Sequence, residues 1–193
     1  MKRLIITAHP SSTWFTHKIA KSYKEGAESI WDKAEIVNLY DKKYYQDFLA
    51  FEDIKNIKED IVRDTIQEKI SKSDELIFVF PIWWWWFPAI LKNFFDVNLS
   101  SWFAFKYLKW WKVEKLLSGK KAKVFATCDA PWFIYKLFIF PLRVKWYLSM
   151  YILGFCWIKI TNFLLFDSMW KSKWDESKRE KMLKKVYNLA LLK

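Results

Sequence analysis

The sequence predicts an α/β domain in which a doubly wound, five-stranded parallel sheet carries helices on both faces. Short apolar runs rich in β-branched and aromatic residues recur five times along the chain. Segments with helical spacing of apolar residues separate them, and such alternation is typical of parallel sheets covered by helices. The 193 residues fit one domain of ordinary size. We therefore expect a single domain over residues 1–193.

The first half of the chain supplies two of these strands. Residues 2–8 are a short β-branched run that ends at His9-Pro10, as expected of a buried parallel strand. Apolar residues at helical spacing follow between Phe15 and Ile30, and residues 35–39 form the second strand. A charged helix is expected over residues 59–71.

The second half supplies the remaining three strands. The third strand covers residues 75–80 and leads through a tryptophan cluster into a helix over residues 89–95. The fourth and fifth strands cover residues 122–127 and 158–166, and an aromatic, partly helical segment separates them. A last helix buries its apolar face: Met182, Leu183, Val186, Tyr187 and Ala190.

Composition and charge exclude several classes of protein. Cys128 and Cys156 are far apart and have no histidine cluster near them, so we expect neither a zinc site nor a disulfide framework. We expect a cytoplasmic location, where thiols stay reduced. Neither long apolar segment makes a good membrane span, because prolines and charges interrupt them. The net charge is +12, and seven lysines lie between residues 106 and 123. They form either a solvated surface or a patch that attracts anions such as a phosphorylated cofactor, acidic lipid or nucleic acid.

The glycine content is anomalous. The chain has 3 glycines and 14 tryptophans, whereas ordinary usage predicts about 13 glycines in this length. Many tryptophans stand at expected turns and helix ends, where glycine is typical. Our hypothesis is that ten positions are glycine in the functional protein: Trp14, Trp31, Trp85, Trp86, Trp102, Trp110, Trp111, Trp132, Trp157 and Trp170. A UGA codon read as glycine in the host, or a deliberate or natural exchange series, would produce this pattern.

Three loops at the carboxyl ends of the expected strands are candidate binding segments. The first loop, residues 9–17, joins a strand to a helix and is rich in hydroxyl groups, which suits a phosphate but also plain helix capping. The third strand runs into the aromatic segment PIWWWWFPA, residues 81–89, which either flanks a planar ring or belongs to the core. The fourth strand ends at residues 127–131. Either the threonine there contacts the edge of a heterocyclic ring, or the segment is an ordinary turn.

Together these segments resemble the flavodoxin-like NAD(P)H:quinone oxidoreductase family, which includes small bacterial quinone reductases and ancillary oxidoreductases of potassium efflux systems. The resemblance covers nearly the whole chain. It rests on the strand-His-Pro turn rich in Ser and Thr and on four motifs: F-P-I-W-W-x-x-F-P-A-I-L-K-N-F-F-D, F-A-F-K-Y, T-C-D-A-P and I-L-G-F-C-x-I-K-I. It implies the strand order 2-1-3-4-5.

The resemblance also implies a cofactor, FMN or FAD, at the carboxyl ends of the strands. By position, the flavin phosphate region would be held by His9, Thr13, Phe15 and Thr16. The isoalloxazine ring would lie along Pro81, Ile82, Trp83 and Trp84, with Thr127, Cys128 and Asp129 on its other side. Trp83 and Trp84 match aromatic positions of the family. An indole at position 86, and at position 85, would instead stand where the chain should approach the flavin closely.

The implied activity is NAD(P)H dehydrogenation with a quinone or similar acceptor, in which hydride passes through flavin N5. Phe105 and Tyr107 match positions that cover the nicotinamide or quinone, including from a second subunit, so a homodimer is expected. Some relatives pair a tyrosine with a histidine, but no histidine lies near Tyr135 in the sequence, and Tyr107 or Tyr135 would fill that role.

Two alternatives to the enzyme remain. One is a flavin-binding regulatory subunit docked on a membrane transporter, with little turnover of its own. The other is a basic, tryptophan-rich binder of a membrane surface or single-stranded nucleic acid. We expect no nucleic-acid partner, because the tryptophans follow glycine-type positions rather than one helical face.

Overall fold

The computed structural model describes residues 1–52, 60–130, 140–172 and 175–192 of the chain. The strands are β1 (Lys2–Thr7), β2 (Lys33–Asn38), β3 (Glu75–Pro81), β4 (Phe105–Tyr107), β5 (Val113–Lys115), β6 (Lys121–Thr127) and β7 (Lys159–Phe166). The helices are α1 (Phe15–Ser29), α2 (Ile61–Lys72), α3 (Ala89–Asn98), α4 (Phe140–Tyr147), α5 (Met169–Ser172) and α6 (Glu176–Ala190).

Five of the strands form one parallel sheet in the order β2-β1-β3-β6-β7. These are the five strands that the sequence predicts, so both the fold class and the strand order 2-1-3-4-5 are confirmed. Ile5 of β1 pairs with Ile36 of β2 on one side and with Ile77 of β3 on the other. The chain therefore leaves β1 toward β2 first and later crosses back to β3.

The side chains of the central strands alternate between two apolar cores. Phe78 packs on one face of the sheet with Phe94 and Phe95 of α3. Ile77 packs on the opposite face, in a cluster with Tyr23 of α1 and residues of α6. Both faces of β3 are thus buried, which explains why its sequence is a continuous apolar run rather than an alternating one.

The sequence reasoning missed a small antiparallel hairpin. β4 and β5 have three residues each and form a separate two-stranded sheet. Strands this short show too little alternation to be recognised from the sequence. The hairpin carries Phe105 and Tyr107, the two residues predicted to cover the nicotinamide or quinone.

The lysine run does not form one uniform surface. Lys123 is buried, and its ammonium group lies 3.0 Å from a carboxylate oxygen of Glu75. Lys120 donates a hydrogen bond of 2.8 Å to the carbonyl oxygen of Ser71. At least these two lysines serve the fold and not an anion patch.

None of the helices in the described part of the chain is long and apolar enough to cross a membrane.

Candidate functional site

The point where the strand order reverses lies between β1 and β3. These two neighbours are joined to helices through loops that leave the sheet at the same carboxyl edge. In open α/β sheets, ligands bind in the crevice at this edge and at this reversal point. The loop after β1 contains His9, and the turn after β3 contains Trp83. Their ring centroids are 5.7 Å apart.

His9 organises the first loop. Its Nδ1 accepts a hydrogen bond of 3.1 Å from the N–H of Ser11, and its ring stacks on the indole of Trp14 at 5.2 Å. The Nε2 of His17 donates to the carbonyl oxygen of His9 at 3.1 Å. Burial lowers the pKa of His9, and the nearby His17 lowers it further. Both effects favour the neutral ring and outweigh the backbone contact with Ser11, which raises the pKa of His9.

The N-terminus of α1 is open. Trp14 occupies its N-cap position and makes no capping hydrogen bond with its side chain, whereas Asp60 and Asp175 cap α2 and α6. Uncapped N–H groups and the positive end of the helix dipole attract anions. Hydroxyl groups surround this end: Ser11 and Thr13 contact each other at 3.1 Å. The buried hydroxyl of Thr16 has no hydrogen-bond partner among the described residues.

Phe15 differs from its expected role in one respect. Its side chain is buried in the core cluster beneath α1, and the guanidinium of Arg179 lies 5.1 Å from its ring centroid. Phe15 can therefore bind an anion at the start of the helix through its backbone N–H and not through its side chain.

A tight turn follows β3. Trp83 and Trp86 exchange two backbone hydrogen bonds of 2.9 Å each. The two central residues, Trp84 and Trp85, have φ angles of 50° and 64°. Positive φ at both central positions is the signature of a type I′ turn, which is normally built from Asn and Gly. The indole of Trp84 is 95% exposed, so it packs against nothing in this structure.

The carboxyl end of β6 lies beside this turn. The N–H of Ile82 donates to the carbonyl oxygen of Thr127 at 2.7 Å, and the N–H of Cys128 donates to Phe166 O at 2.9 Å. Cys128 is buried, and its thiol donates to the carbonyl oxygen of Ala130 at 3.6 Å. Asp129 is exposed. Backbone groups of this segment, together with Pro81 and Ile82, thus form one continuous rim.

Phe105 and Tyr107 lie on the hairpin and line a cleft of about 1060 Å³ between α2, α3, the hairpin and the segment after α4. Phe105 contacts Phe155 with ring centroids 4.9 Å apart. Tyr107 is 64% exposed. Tyr147 also lines this cleft, and its ring lies 4.8 Å from that of Trp86 in the β3 turn. Tyr147 therefore connects the cleft with the turn that follows β3.

The structure thus brings the predicted residues together in two groups. One group surrounds the β1–β3 reversal point and contains His9, Thr13, Thr16, Pro81, Ile82, Trp83, Thr127 and Cys128. The other is the aromatic cleft with Phe105 and Tyr107. Tyr135 lies outside the described residues.

Two residues of the site were missed in the sequence. His17 had a signal, because the chain contains only two histidines and both fall at the first strand-to-helix junction. Tyr147 belongs to no motif, and only the fold reveals it. Within the described part of the chain, no group of three His, Cys, Asp or Glu residues is arranged to hold a metal ion.

Comparison with known proteins agrees with this geometry. A family model described as "Flavodoxin-like fold" matches residues 1–189. An uncharacterized NAD(P)H oxidoreductase of Haemophilus influenzae is 30% identical over 173 residues, which are 88% of this chain and 85% of that protein.

Two solved structures share the fold. The NAD(P)H:quinone oxidoreductase of Methanothermobacter marburgensis is 20% identical, with a TM-score of 0.83 over 99% of this chain and 96% of that one. An FMN-dependent NADH-azoreductase of Bacillus anthracis, in complex with FMN, is 19% identical with a TM-score of 0.67 over 98% and 97% of the two chains. This chain belongs to the flavodoxin-like family of NAD(P)H oxidoreductases.

Proposed function

We propose that this protein is a flavin-dependent NAD(P)H oxidoreductase that reduces a quinone or a similar two-electron acceptor. One observation carries the proposal: the open N-terminus of α1 and the polar rim of β3 and β6 meet at the reversal point of the sheet. A flavin phosphate needs the first feature, and a planar ring with a polar edge needs the second. The FMN bound to the fold relative from Bacillus anthracis supports FMN over FAD.

The phosphate would be held at the start of α1. Backbone N–H groups of Phe15 and Thr16, the hydroxyls of Ser11 and Thr13, and the ring of His9 are available there. The partnerless hydroxyl of Thr16 fits this assignment, because a buried hydroxyl without a partner costs free energy that a bound anion would recover. The residues present therefore fit a phosphorylated cofactor.

The isoalloxazine ring would lie on the rim formed by residues 81–83 and 127–128. The N–H groups of Ile82, Trp83 and Cys128 already donate within the fold and hold the rim in shape. Trp83 supplies an aromatic surface for the ring beside His9. When bound, the flavin would supply two-electron chemistry, in which a hydride from NAD(P)H and a proton are passed on to a quinone-type acceptor. The protein's own part is to hold the partners in place and to keep water away from them.

The acceptor and the nicotinamide would enter through the aromatic cleft. Phe105, Tyr107 and Tyr147 line it, and flat aromatic ligands favour stacking on such rings. The phenol of Tyr107 is the more exposed of the two exposed tyrosines on this wall, so we assign it the role of supplying a proton or a hydrogen bond to the acceptor. Tyr135 remains a second prediction for that role.

We also propose a homodimer. Tyr107, Trp146 and Tyr151 are large aromatic side chains more than half exposed, and Tyr107 and Tyr151 line the cleft. A surface of this kind is typical of an interface. A second copy would cover it and close the cleft, and light scattering of the purified protein would report a mass near twice that of one chain.

The direct test of function is a spectrum followed by a reduction. Protein purified in the presence of FMN should show flavin bands near about 375 and about 450 nm. The longer-wavelength band should bleach on addition of NADH or NADPH and return when a benzoquinone is added. Protein that stays colourless at saturating FMN and FAD would overturn the proposal. Protein that binds flavin but does not turn over would favour the regulatory subunit.

A pair of variants tests Tyr107. Tyr107→Phe keeps the ring and removes the hydroxyl, so flavin bleaching should be unchanged while reoxidation by the quinone becomes slower by about tenfold or more. Tyr45→Phe is the matched control, because Tyr45 is similarly exposed and does not line the cleft. Equal reoxidation rates in both variants would remove Tyr107 from the assignment.

A further inference from the structure

Tryptophan occupies backbone positions that suit glycine. Seven non-glycine residues of the described chain have a positive φ, and six of them are Trp31, Trp84, Trp85, Trp102, Trp110 and Trp157. Their φ values lie between 50° and 72°, in the left-handed region that residues with a Cβ atom avoid. Ser168 is the seventh. Chance placement does not concentrate one bulky residue type in this region.

Trp31 completes a helix-ending motif at α1. The N–H of Trp31 donates to the carbonyl oxygen of Glu28 at 3.0 Å, and the N–H of Asp32 donates to that of Ala27 at 3.1 Å. This pair of bonds defines the Schellman motif, with Trp31 at the left-handed C′ position. Glycine is the usual residue there because it has no Cβ atom.

Trp157 repeats the same motif before β7. Its N–H donates to the carbonyl oxygen of Gly154 at 3.0 Å, and the N–H of Ile158 donates to that of Leu153 at 2.9 Å. Trp157 has a φ of 58°. The end of α1 and the turn before β7 therefore show the same bonding and carry tryptophan at the same motif position.

Trp102 and Trp110 stand in tight loops. Trp102 is the third residue of the turn that the N–H of Phe103 closes on the carbonyl oxygen of Ser100 at 3.4 Å, and its φ is 72°. Positive φ at the third position is the reason that type II turns take glycine. Trp110, with a φ of 65° and a ψ of 40°, lies at the tip of the β4–β5 hairpin.

These four indoles contribute little packing in return. Trp31 is 95% exposed, Trp102 73%, Trp110 88% and Trp157 59%. Tryptophan is ordinarily among the most buried residue types by average area. Two of the rings have a lysine ammonium nearby, Lys106 over Trp102 at 4.8 Å and Lys115 over Trp157 at 4.7 Å. Such contacts are weak when exposed to water.

The three glycines of the sequence, unlike these tryptophans, are each explained by the local geometry. A Cβ on Gly26 would lie 2.7 Å from the carbonyl oxygen of Tyr187, and a Cβ on Gly154 would lie 1.7 Å from that of Ser149. Gly119 has a φ of 89°. Glycine thus stands at three positions where a Cβ atom would clash or be strained. The tryptophan positions with positive φ have the same backbone requirement but carry a large side chain.

We propose that residues 31, 102, 110 and 157 are glycine in the functional protein, through a codon that the native cell reads as glycine. The turn at Trp84–Trp85 is left out of this set, because strain at a binding site has a functional explanation of its own. Trp14, Trp86, Trp111 and Trp170 do not have positive φ, and Trp132 lies outside the described residues. The proposal does not depend on flavin binding.

Peptide mass spectrometry of the protein isolated from its native cells tests the proposal directly. Each of the four peptides should be lighter by about 130 Da than the written sequence requires. The gene should carry UGA at these four codons and UGG at Trp146, which lies inside α4. Peptides with tryptophan at all four positions would overturn the proposal, whatever the activity of the protein.

Recombinant variants test the physical argument separately. Trp31→Gly should have a Tm about 2–4 °C above that of Trp31→Ala, because only the backbone preference separates the two. The same order is expected at positions 102, 110 and 157. Trp146→Gly and Trp146→Ala are the matched control, and there alanine should be the more stable because the position is helical. Alanine equal to or above glycine at all four loop positions would contradict the argument.

Discussion

The two edges of the main sheet are built in opposite ways. At the amino edge, buried charges pair with one another: Glu75 contacts Lys123 at 3.0 Å and Arg3 at 3.7 Å, and the hydroxyl of Tyr23 donates to Glu75 at 2.6 Å. At the carboxyl edge, the start of α1 is uncapped, Thr16 has a partnerless hydroxyl, and the turn after β3 has two positive φ angles.

Under the proposed function, this difference separates the part of the sheet that serves stability from the part that serves the flavin site. The amino edge pairs its buried charges with one another, although Nε of Arg3 makes no hydrogen bond among the described residues. It also ties α6 to the sheet, because Arg3 donates to the carbonyl oxygen of Ala190 at 2.6 Å. The carboxyl edge leaves polar groups and strain unresolved, as sites that await a ligand do. Substitutions at the two edges should therefore change different measurements.

The largest effect is expected at the amino edge. Glu75→Gln removes the negative charge that faces two buried cations, so we expect the free energy of unfolding to fall by about 3–5 kcal/mol. Urea unfolding followed by circular dichroism measures it. Glu28→Ala is the control, since its pair with Lys24 is exposed on α1 and should contribute about 0.3–0.5 kcal/mol. A loss below about 1 kcal/mol for Glu75→Gln would contradict the importance of this network.

A smaller effect at the same edge depends on pH. Burial alone would raise the pKa of Asp32, but hydrogen bonds from the amino group of Met1 and the charge of Arg3 hold it below its ordinary value of 3.8. Because the folded-state pKa is depressed, the stabilisation is present above pH 3.8 and is lost as the pH falls through the folded-state value. Asp32→Asn should cost about 1.5–3 kcal/mol at pH 7. Denaturant unfolding across the pH range should show this cost shrinking below pH 3.8; a constant difference would refute the linkage.

The carboxyl edge should become more stable when its strain is removed. Trp84→Gly should raise the free energy of unfolding by about 1–2 kcal/mol, because the indole is fully exposed and its backbone is left-handed. Thermal unfolding reports the change, with Trp84→Ala as the comparison that keeps a Cβ atom. Should glycine prove less stable than alanine at this position, the turn is not strained as we describe.

The smallest effect separates binding from stability at one residue. Thr16→Val removes the partnerless hydroxyl, so the flavin-free protein should be at least as stable as the parent while FMN binds about fivefold more weakly. Thr161→Val is the matched control. Its hydroxyl donates to the carbonyl oxygen of Ala122 at 3.1 Å, so it should lose about 1 kcal/mol of stability and keep its FMN affinity. Parallel changes in both variants would place Thr16 in the fold rather than in the site.

The sequence predicts the main sheet well because the burial of each strand determines its pattern of apolar residues. β3 is buried on both faces and reads as an unbroken apolar run, and the helix after it keeps an apolar stripe. The β4–β5 hairpin is invisible in the sequence, since three residues per strand give no period. The same holds for Tyr147, whose role depends on a contact with Trp86 made only after folding.

The first loop, residues 9–17, shows what the sequence can indicate about the site and what it cannot. Its hydroxyls and histidine mark it as a polar junction in the sequence, and the structure adds that α1 lacks a side-chain cap. Sequence spacing cannot distinguish a serine or threonine that caps a helix from one that waits for a ligand, because the residue types are the same. The orphaned hydroxyl of Thr16 and the core position of Phe15 are properties of the packing alone.

The most direct measurement is hydrogen–deuterium exchange of the protein with and without FMN, with riboflavin as a ligand that lacks the phosphate. We predict that FMN slows exchange in residues 8–17, 82–87 and 127–130, and that riboflavin slows it in the last two segments only. Protection that appears elsewhere, or nowhere at saturating FMN, would contradict a flavin held at the reversal point between β1 and β3.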